Sequence, residues 1–106
     1  MKVLFICSRN KWRSATAETI YKNSGRFDVK SAGTEPSARI KVNAGHLLCA
    51  DLIFVMEHKH KKRLLEKFRE EMAGKEVVVL DIPDEYQYMD PELIEEIESK
   101  VENYLI

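Results

Sequence analysis

The first seventeen residues combine a strand, a loop and a helix in an order that restricts the fold of the whole chain. Residues 2–6 (KVLFI) are almost entirely aliphatic or aromatic, which is typical of a strand buried on both faces of a parallel sheet. Cys7 directly follows this strand, and Arg13 and Ser14 begin a helix after five loop residues. Because parallel strands need crossover connections that usually contain a helix, the segment predicts an α/β domain.

The same alternation of strand and helix continues through the chain. Short apolar or alternating runs predict three more strands, at residues 27–31, 52–56 and 77–80. The sequence therefore predicts an α/β fold with a four-stranded parallel sheet, helices on both faces, and one domain over residues 1–106. In such sheets ligands bind at the carboxyl ends of the strands, which is where Cys7 lies.

Helices are expected after each strand. The first stops at Gly25, the second is a short candidate over residues 42–49, and the third covers residues 58–72, before a capping Gly74. The predicted inner face of the third helix consists of Leu64, Leu65, Phe68 and Met72. A last helix begins after Asp90 and Pro91, and its predicted core face consists of Leu93, Ile94, Ile97, Val101 and Tyr104.

The overall composition excludes several classes of protein. The chain has 106 residues and a net charge of −1, which argues against a general nucleic-acid-binding protein. It contains no apolar run long enough to cross a membrane and no secretory signal. Two cysteines, Cys7 and Cys49, are too few for a disulfide framework and suit a reducing compartment. We therefore expect a cytoplasmic protein.

Several weaker signals have ordinary structural explanations. The basic run at residues 58–63 (HKHKKR) is more simply a solvated helix face than a nucleic-acid patch. Cys49 is expected to be a small core residue. The histidines and cysteines lack the dense, paired spacing of metal ligands, so we expect no metal.

The loop between Cys7 and Arg13 has the length to wrap a tetrahedral oxyanion. Backbone N–H groups of the loop and of the helix start would point at the anion, and the arginine fork would close over two of its oxygens. Cys7 would be the nucleophile, and Ser14 a hydroxyl donor to its sulfur. Asn10 suits a left-handed turn. The predicted phosphate-binding residues are Ser8, Arg9, Asn10, Lys11, Trp12, Arg13 and Ser14. The alternative is a buried cysteine that only happens to precede a surface arginine.

Hydrolysis of a phosphomonoester also needs an acid that protonates the leaving oxygen. The acidic, aromatic loop at residues 81–91 is placed to supply it. We predict that Asp84 is this acid, with Asp81 as the second choice, since Asp90 is better explained as a helix cap. In the same loop, Tyr86 and Tyr88 could line the substrate pocket with Trp12, or simply pack on the sheet edge.

These residues resemble the low-molecular-weight protein tyrosine phosphatases, which carry a strand, a Cys-x5-Arg-Ser motif and a helix at the extreme N-terminus. Asn10 matches the loop asparagine of that family. Residues 31–34 (SAGT) match the segment after its second strand, and residues 51–57 (DLIFVME) match its aspartate, strand, methionine and acid. The resemblance thus touches the whole chain in the right order, and the sequence looks most like a short bacterial branch.

The resemblance implies a cysteine-dependent tyrosine phosphatase with a four-stranded parallel sheet, no metal or cofactor, and a phosphocysteine intermediate. Aligned back from the last helix, it places the catalytic aspartate on Asp84 and a pocket tyrosine on Tyr86. The chain is shorter than a typical member, and Trp12 replaces a second cysteine that many members use for disulfide protection. A histidine that supports the loop in some members has no clear match.

Other functions use a similar arrangement. Arsenate reductases share this fold, but only a form coupled to a small external thiol fits a chain with Cys49 as its second cysteine. Cysteine phosphotransfer modules do not use an arginine at the position of Arg13. A non-catalytic phosphate-binding or phosphopeptide-binding module is the remaining alternative. The expected partners are a phosphorylated protein or a small phosphomonoester, without nucleic acid or membrane, and we expect a monomer or weak dimer.

Overall fold

A computed structural model describes residues 1–105 of the chain. Four strands alternate with helices, and the connections are short. The strands are β1 (Lys2–Cys7), β2 (Asp28–Gly33), β3 (Leu52–Val55) and β4 (Val77–Val79). The helices are α1 (Arg13–Ser24), α2 (Ala44–Cys49), α3 (His58–Lys67), α4 (Arg69–Met72) and α5 (Pro91–Val101), and a 3₁₀ turn follows at Glu102–Tyr104.

The four strands form one parallel sheet, as the sequence predicted, and their order in the sheet is β2-β1-β3-β4. The strand order reverses between β1 and β3, so the loops that follow these two strands diverge and leave a crevice between them. Cys7 ends β1, and Met56 and Glu57 follow β3. The sheet therefore brings the N-terminal motif next to a segment fifty residues later in the chain.

Helices cover both faces of the sheet and create two cores. On one face, α1 and α5 pack over Phe5, Phe54 and their neighbours. On the other face, α2, α3 and α4 pack over Leu4, Ile6 and Ile53. Alternate residues of β1 point to opposite faces, which is why both Phe5 and Ile6 are fully buried. This three-layer arrangement confirms the predicted fold class.

The predicted helix at residues 58–72 is in fact two helices. The backbone leaves the helical region at Phe68 (φ −123°, ψ 45°), between α3 and α4. Leu64 and Met72 are buried, but Leu65 is 44% exposed, so its predicted place on the inner face is wrong. Successive residues of a helix point about 100° apart, and the sheet covers only the side of α3 that carries Leu64.

Three other predicted core positions are wrong or only partly right. Cys49 is exposed, because Leu47 takes the inner side of the six-residue helix α2 and Cys49 lies about 200° further round. Ile94 is only partly buried. Tyr104 is 48% exposed because α5 ends at Val101, although its ring still meets Phe54 edge-on at 5.7 Å.

No helix among residues 1–105 is long and apolar enough to span a membrane.

Candidate active site

The loop after β1 folds over the start of α1. Residues 8–12 have no regular secondary structure, and α1 begins at Arg13. Asn10 adopts the left-handed conformation, with φ 57°, as the sequence predicted. This turn brings the backbone N–H of Asn10 to the sulfur of Cys7, in the loop that leads into the start of α1. A loop N–H group and a helix N-terminus near one point are the features of the predicted anion cradle.

Two donors approach the sulfur of Cys7, which is 3% exposed. The backbone N–H of Asn10 donates to Sγ at 3.2 Å, and the hydroxyl of Ser14 lies 2.9 Å from Sγ. The side-chain amide of Asn10 donates to Ser14 Oγ at 2.7 Å. Because that contact uses Ser14 Oγ as an acceptor, the hydroxyl hydrogen of Ser14 is available to the sulfur.

A buried chain of hydrogen bonds fixes this arrangement from β2. Asn10 also donates its side-chain amide to Ser31 Oγ at 2.8 Å, and the hydroxyl of Ser31 donates to Glu18. Asn10, Ser14 and Ser31 are all at most 2% exposed. Buried polar networks of this kind are costly to break, so the position of the hydroxyl beside the sulfur is well determined.

Arg13 is anchored on one side and open on the other. Its Nη1 donates to Glu57 Oε2 at 2.6 Å and to the carbonyl oxygen of Ile82 at 2.8 Å. Its Nε lies 3.8 Å from Asp84 Oδ1, and Nη2 donates to no protein group within residues 1–105. The two held contacts orient the guanidinium, which leaves the Nε and Nη2 edge for the two oxygens of an anion.

Glu57 is a site residue for which the sequence analysis gave no role. Burial raises the pKa of its carboxyl, but the hydrogen bond and charge of Arg13 outweigh burial and leave the pKa below its ordinary value. Glu57 is therefore an ionised partner for Arg13. The signal in the sequence was the acid directly after the buried strand β3, at the carboxyl edge of the sheet.

His60 supports the loop from the opposite side, although the sequence gave no clear match for such a histidine. The ring is completely buried, in contrast to the solvated face predicted for residues 58–63. Its Nδ1 accepts the backbone N–H of Glu57 at 3.0 Å, so Nε2 carries the hydrogen and donates to Ser8 Oγ at 2.9 Å. The hydroxyl hydrogen of Ser8 then remains available to an anion.

Stability should fall when the pH is lowered from 6.5 towards 4. Burial, followed by the charge of Arg13, lowers the pKa of His60 from 6.5 to about 4. Between these two pH values the histidine binds a proton in the unfolded chain but not in the folded protein. Lowering the pH from 6.5 to 4 should therefore reduce the free energy of unfolding by on the order of 3 kcal/mol. Urea unfolding at a series of pH values measures this slope.

The variants His60→Gln and His58→Gln separate this effect from the general titration of the protein. His58 is exposed, so His58→Gln should keep the parental slope. His60→Gln should flatten it and leave the contribution of His46, whose pKa burial also lowers, and near pH 4 that of Glu57, whose pKa Arg13 lowers. An unchanged slope in His60→Gln would contradict the buried neutral state of this histidine.

The segment after β2 holds the loop from behind. Thr34 and Glu35 donate their backbone N–H groups to the carbonyls of Cys7 and Ser8 at 3.0 and 2.9 Å. Arg39 donates its N–H and its Nε to two further loop carbonyls at 2.9 and 3.0 Å. A β-carbon at Gly33 would lie 2.5 Å from the Ser8 carbonyl oxygen. Only glycine permits this close approach.

A cleft of about 370 Å³ opens above the loop. Trp12 is 41% exposed and forms part of its wall. The lining thus contains the predicted nucleophile, the predicted clamp and five further charged side chains, two from the loop and three from distant parts of the sequence. The residues that line it are Cys7, Ser8, Arg9, Lys11, Trp12, Arg13, Glu35, Lys59 and Asp84.

Only one of the two candidate acids lines the cleft. Asp84 lines it beside Arg13. Asp81 does not line it, and its carboxylate instead lies 3.7 Å from His58 Nε2. Asp81 also has a positive φ of 55°, which marks the turn where the chain leaves β4.

Of the three residues predicted for the substrate pocket, Trp12 lines the cleft, whereas Tyr86 and Tyr88 do not. Tyr86 packs against the core formed with α1 and α5. The Tyr88 hydroxyl is bonded to Thr19 Oγ1 at 2.8 Å. These contacts tie the loop to the helical layer, which is the alternative role that the sequence left open.

In the described part of the chain, no three His, Cys, Asp or Glu side chains lie close enough together to hold a metal ion.

The whole architecture matches solved phosphatases. The tyrosine phosphatase Wzb from Escherichia coli K30, in complex with phosphate, superposes with a TM-score of 0.79 and 18% identity, over 98% of this chain and 95% of that one. The chain has the fold of the low-molecular-weight protein tyrosine phosphatases. A low-molecular-weight tyrosine phosphatase from T. tengcongensis gives a TM-score of 0.72 and 21% identity over 93% of this chain and 91% of that one.

The same fold also occurs in phosphatases named for another substrate. The YwlE arginine phosphatase from Geobacillus stearothermophilus matches with a TM-score of 0.67 and 19% identity, over 96% of this chain and 93% of that one. No protein-family model and no curated protein matches the sequence. Structural similarity at this level of identity establishes the low-molecular-weight phosphatase fold, and the chemistry has to be argued from the site.

Proposed function

We propose that this chain is a cysteine-dependent phosphatase that hydrolyses phosphotyrosine in proteins or similar aryl phosphates. The observation that carries the proposal is that Cys7, Arg13 and Asp84 line one cleft of about 370 Å³, with Asp84 Oδ1 3.8 Å from Arg13 Nε. A nucleophile, an oxyanion clamp and a proton donor are the three groups that such a hydrolysis requires.

In the first step, the thiolate of Cys7 attacks phosphorus in line with the leaving oxygen. The S–P bond forms while the P–O bond to the leaving phenol breaks, and Asp84 gives its proton to that oxygen. Arg13 and the N–H groups of the loop hold the three equatorial oxygens, where negative charge is spread in the transition state. The products are a phosphocysteine and the free phenol.

In the second step, water hydrolyses the phosphocysteine. Asp84, now a carboxylate, takes a proton from the water as its oxygen attacks phosphorus, and the S–P bond breaks. Sulfur leaves as the thiolate, which the hydroxyl of Ser14 and the N–H of Asn10 stabilise at 2.9 and 3.2 Å. Inorganic phosphate is released and the enzyme returns to its starting state.

The rim of the cleft favours phosphotyrosine over phosphoarginine. Arg9, Lys11 and Lys59 line it together with two carboxylates. The leaving group of phosphoarginine is a cationic guanidinium that three nearby cations would repel, whereas a phenol is neutral when it leaves. Trp12 offers the aromatic ring of phosphotyrosine an apolar wall.

An internal thiol relay does not fit this arrangement. Cys49 lines a cleft at the N-terminal end of the sheet together with Met1 and Lys2, whereas Cys7 ends β1. The length of β1 separates the two ends by about 17 Å, which is too far for a disulfide. Arsenate reduction by this chain would therefore need an external thiol.

Asp84→Asn and Asp81→Asn test the proposed function and its acid. We expect the parent to hydrolyse para-nitrophenyl phosphate and a phosphotyrosine peptide between pH 5 and 8. Asp84→Asn should lower kcat on the peptide by about 10²- to 10³-fold, because tyrosine is a poor leaving group without a proton donor. The better leaving group of para-nitrophenyl phosphate should make its loss smaller.

Asp81→Asn is the matched control, since it makes the same change three residues away. It should keep kcat within about twofold, because only an acid that contacts the reacting atoms contributes strongly. A steep loss in Asp81→Asn and none in Asp84→Asn would assign the acid to Asp81. A parent that binds phosphate but turns over neither substrate would overturn the phosphatase proposal in favour of a phosphate-binding module.

A further inference from the structure

A positively charged groove runs along the outer face of α3, beside the catalytic cleft. It has a volume of about 990 Å³. The cleft and the groove share Lys59, which contributes to the walls of both. A ligand in the cleft can therefore extend directly into the groove. Its walls include Lys59, Lys61, Lys62, Leu65, Glu66 and Arg69.

The spacing of these residues makes the groove a continuous stripe. Lys62 and Glu66 are four residues apart in α3, which places them on one side of that helix, and Arg69, the first residue of α4, lines the same groove. Within α3, Lys59 and Glu66 are seven residues apart, which is about 10 Å at 1.5 Å per residue, and Arg69 extends the stripe beyond that helix. The stripe can therefore accept an extended segment of at least about three residues.

Most of the positive charge of the groove is not paired within the protein, although Lys59 lies 3.8 Å from Glu57. Lys61, Lys62 and Arg69 form no ion pair with any group in residues 1–105, whereas the neighbouring Arg63 pairs with Glu35 at 3.4 Å. Glu66 is the single carboxylate on the groove walls. Unpaired cations on one surface create a field that attracts anionic ligands.

The net charge of −1 conceals a strong separation of charge. Residues 58–69 contain six Lys or Arg and one Glu, whereas residues 81–102 contain nine Asp or Glu and one Lys. The basic segment covers the face of the sheet with α2 and α4, and the acidic helix α5 covers the opposite face. The catalytic cleft lies between them, so an acidic ligand is attracted on the α3 side and repelled on the other.

We propose that the α3 groove binds acidic residues that flank the phosphorylated side chain of a protein substrate. The inference rests on the proposed phosphatase function and adds a specificity to it. A peptide can place acidic side chains on Lys62 and Arg69 and an apolar one on the exposed Leu65. The uniform phosphate backbone of a nucleic acid would instead meet Glu66 and gain nothing from Leu65.

The test compares phosphotyrosine peptides whose neighbouring positions are Asp and Glu with peptides that carry Asn and Gln there. We expect the parent to show about three- to tenfold higher kcat/KM on the acidic peptide. Lys62→Glu combined with Arg69→Glu should remove this preference and leave para-nitrophenyl phosphate hydrolysis unchanged. Because the attraction is between exposed charges, raising the ionic strength to about 1 M should remove the preference of the parent as well.

Lys22→Glu combined with Lys30→Glu is the control with the same change in net charge. Both lysines are exposed and lie at a different cleft, near β2, so the preference should persist in this variant. If both double variants lost the preference for the acidic peptide, the preference would come from net charge, and the proposed role of the groove would be overturned.

Failure of the groove can be told apart from failure of the phosphatase. Equal kcat/KM on both peptides, with normal para-nitrophenyl phosphate turnover, would overturn only the proposal that the groove binds acidic residues. Absence of turnover on every substrate would overturn the proposed phosphatase function. If the parent shows no peptide preference, three other ligands can be tested: duplex RNA, phosphatidylserine vesicles and a second copy of the chain. Salt-sensitive binding of the RNA or the vesicles, or self-association in sedimentation velocity, would assign the groove to that ligand if Lys62→Glu with Arg69→Glu abolishes it. Any of these results would overturn the proposal that the groove binds acidic peptide residues.

Discussion

Cys7→Ser is expected to lower kcat on a phosphotyrosine peptide by at least about 10⁴-fold, because an alcohol in place of the thiolate is a poor nucleophile. The anion cradle should survive, since the hydroxyl of serine is smaller than the thiol and the N–H groups of the loop belong to the backbone. Phosphate should therefore still bind, with an affinity close to that of the parent. Stopped and continuous assays measure kcat on the peptide, and titration calorimetry with inorganic phosphate measures the affinity for phosphate.

Cys49→Ser provides the matched control for this experiment. Cys49 is exposed and lies at the other end of the sheet, so the same replacement there should leave both quantities unchanged. If Cys7→Ser retained turnover, a covalent mechanism through this cysteine would be untenable. If Cys7→Ser lost both turnover and phosphate binding, the thiol would contribute to binding the anion, and the loss of turnover would no longer identify it as the nucleophile.

Arg13→Lys should reduce kcat/KM by about 10³-fold although it keeps the positive charge. Lysine presents a point charge on a flexible stem and cannot contact two oxygens of the phosphoryl group with a rigid fork. It also cannot hold Glu57 and the Ile82 carbonyl at once in the geometry of the parent, at 2.6 and 2.8 Å. The loss corresponds to about 4 kcal/mol of transition-state stabilisation.

Arg26→Lys makes the same exchange at an ion pair outside the cleft. Arg26 contacts Glu102 at 3.0 Å and is partly exposed, so kcat/KM should stay within about twofold of the parent. Circular dichroism and urea unfolding should show that Arg13→Lys is folded before its kinetics are interpreted. A folded Arg13→Lys protein with nearly parental kcat/KM would contradict the clamp, because it would show that a charge alone is sufficient.

The structure places Arg13 between two carboxylates that differ in exposure. Glu57 holds the guanidinium from within, and its side chain is 32% exposed, whereas Asp84 is 56% exposed at the mouth of the cleft. This difference suits different tasks, since a positioning partner must remain ionised and fixed while a proton donor must reach the leaving group. The pairing of Arg13 with Glu57 explains how a buried arginine is oriented before substrate arrives.

Much of the fold could be predicted because its signals are local. The apolar run before Cys7, the left-handed Asn10 and the capping Gly25 and Gly74 each depend on neighbouring residues alone. Their positive φ values of 57°, 67° and 76° follow from side-chain chemistry at a turn. The spacing of Cys7 and Arg13 was equally informative, because five loop residues fix how far apart the two side chains can lie.

Other features depended on contacts between distant segments and could not be predicted in this way. The break at Phe68 has no proline or glycine to announce it, and the exposure of Leu65 and Cys49 depends on which side of each helix the sheet covers. The sequence left open whether Tyr86 and Tyr88 line the pocket or pack on the sheet edge, and the resemblance implied a pocket tyrosine at Tyr86. Side chains in one loop can point in opposite directions, and the core and Thr19 hold these two away from the cleft.

The sequence by itself determined the order of strands and helices and the anion cradle, because both arise from short-range pattern and chain connectivity. Only the tertiary structure decided which distant residues complete the site. Strand order β2-β1-β3-β4 brings Glu57 and His60 from the end of β3 to the loop after β1, and it brings Ser31 and Gly33 from β2 to the other side of that loop. The end of β4 then presents Asp84 rather than Asp81 to Arg13. These neighbours are set by pairing between strands, which no local spacing specifies.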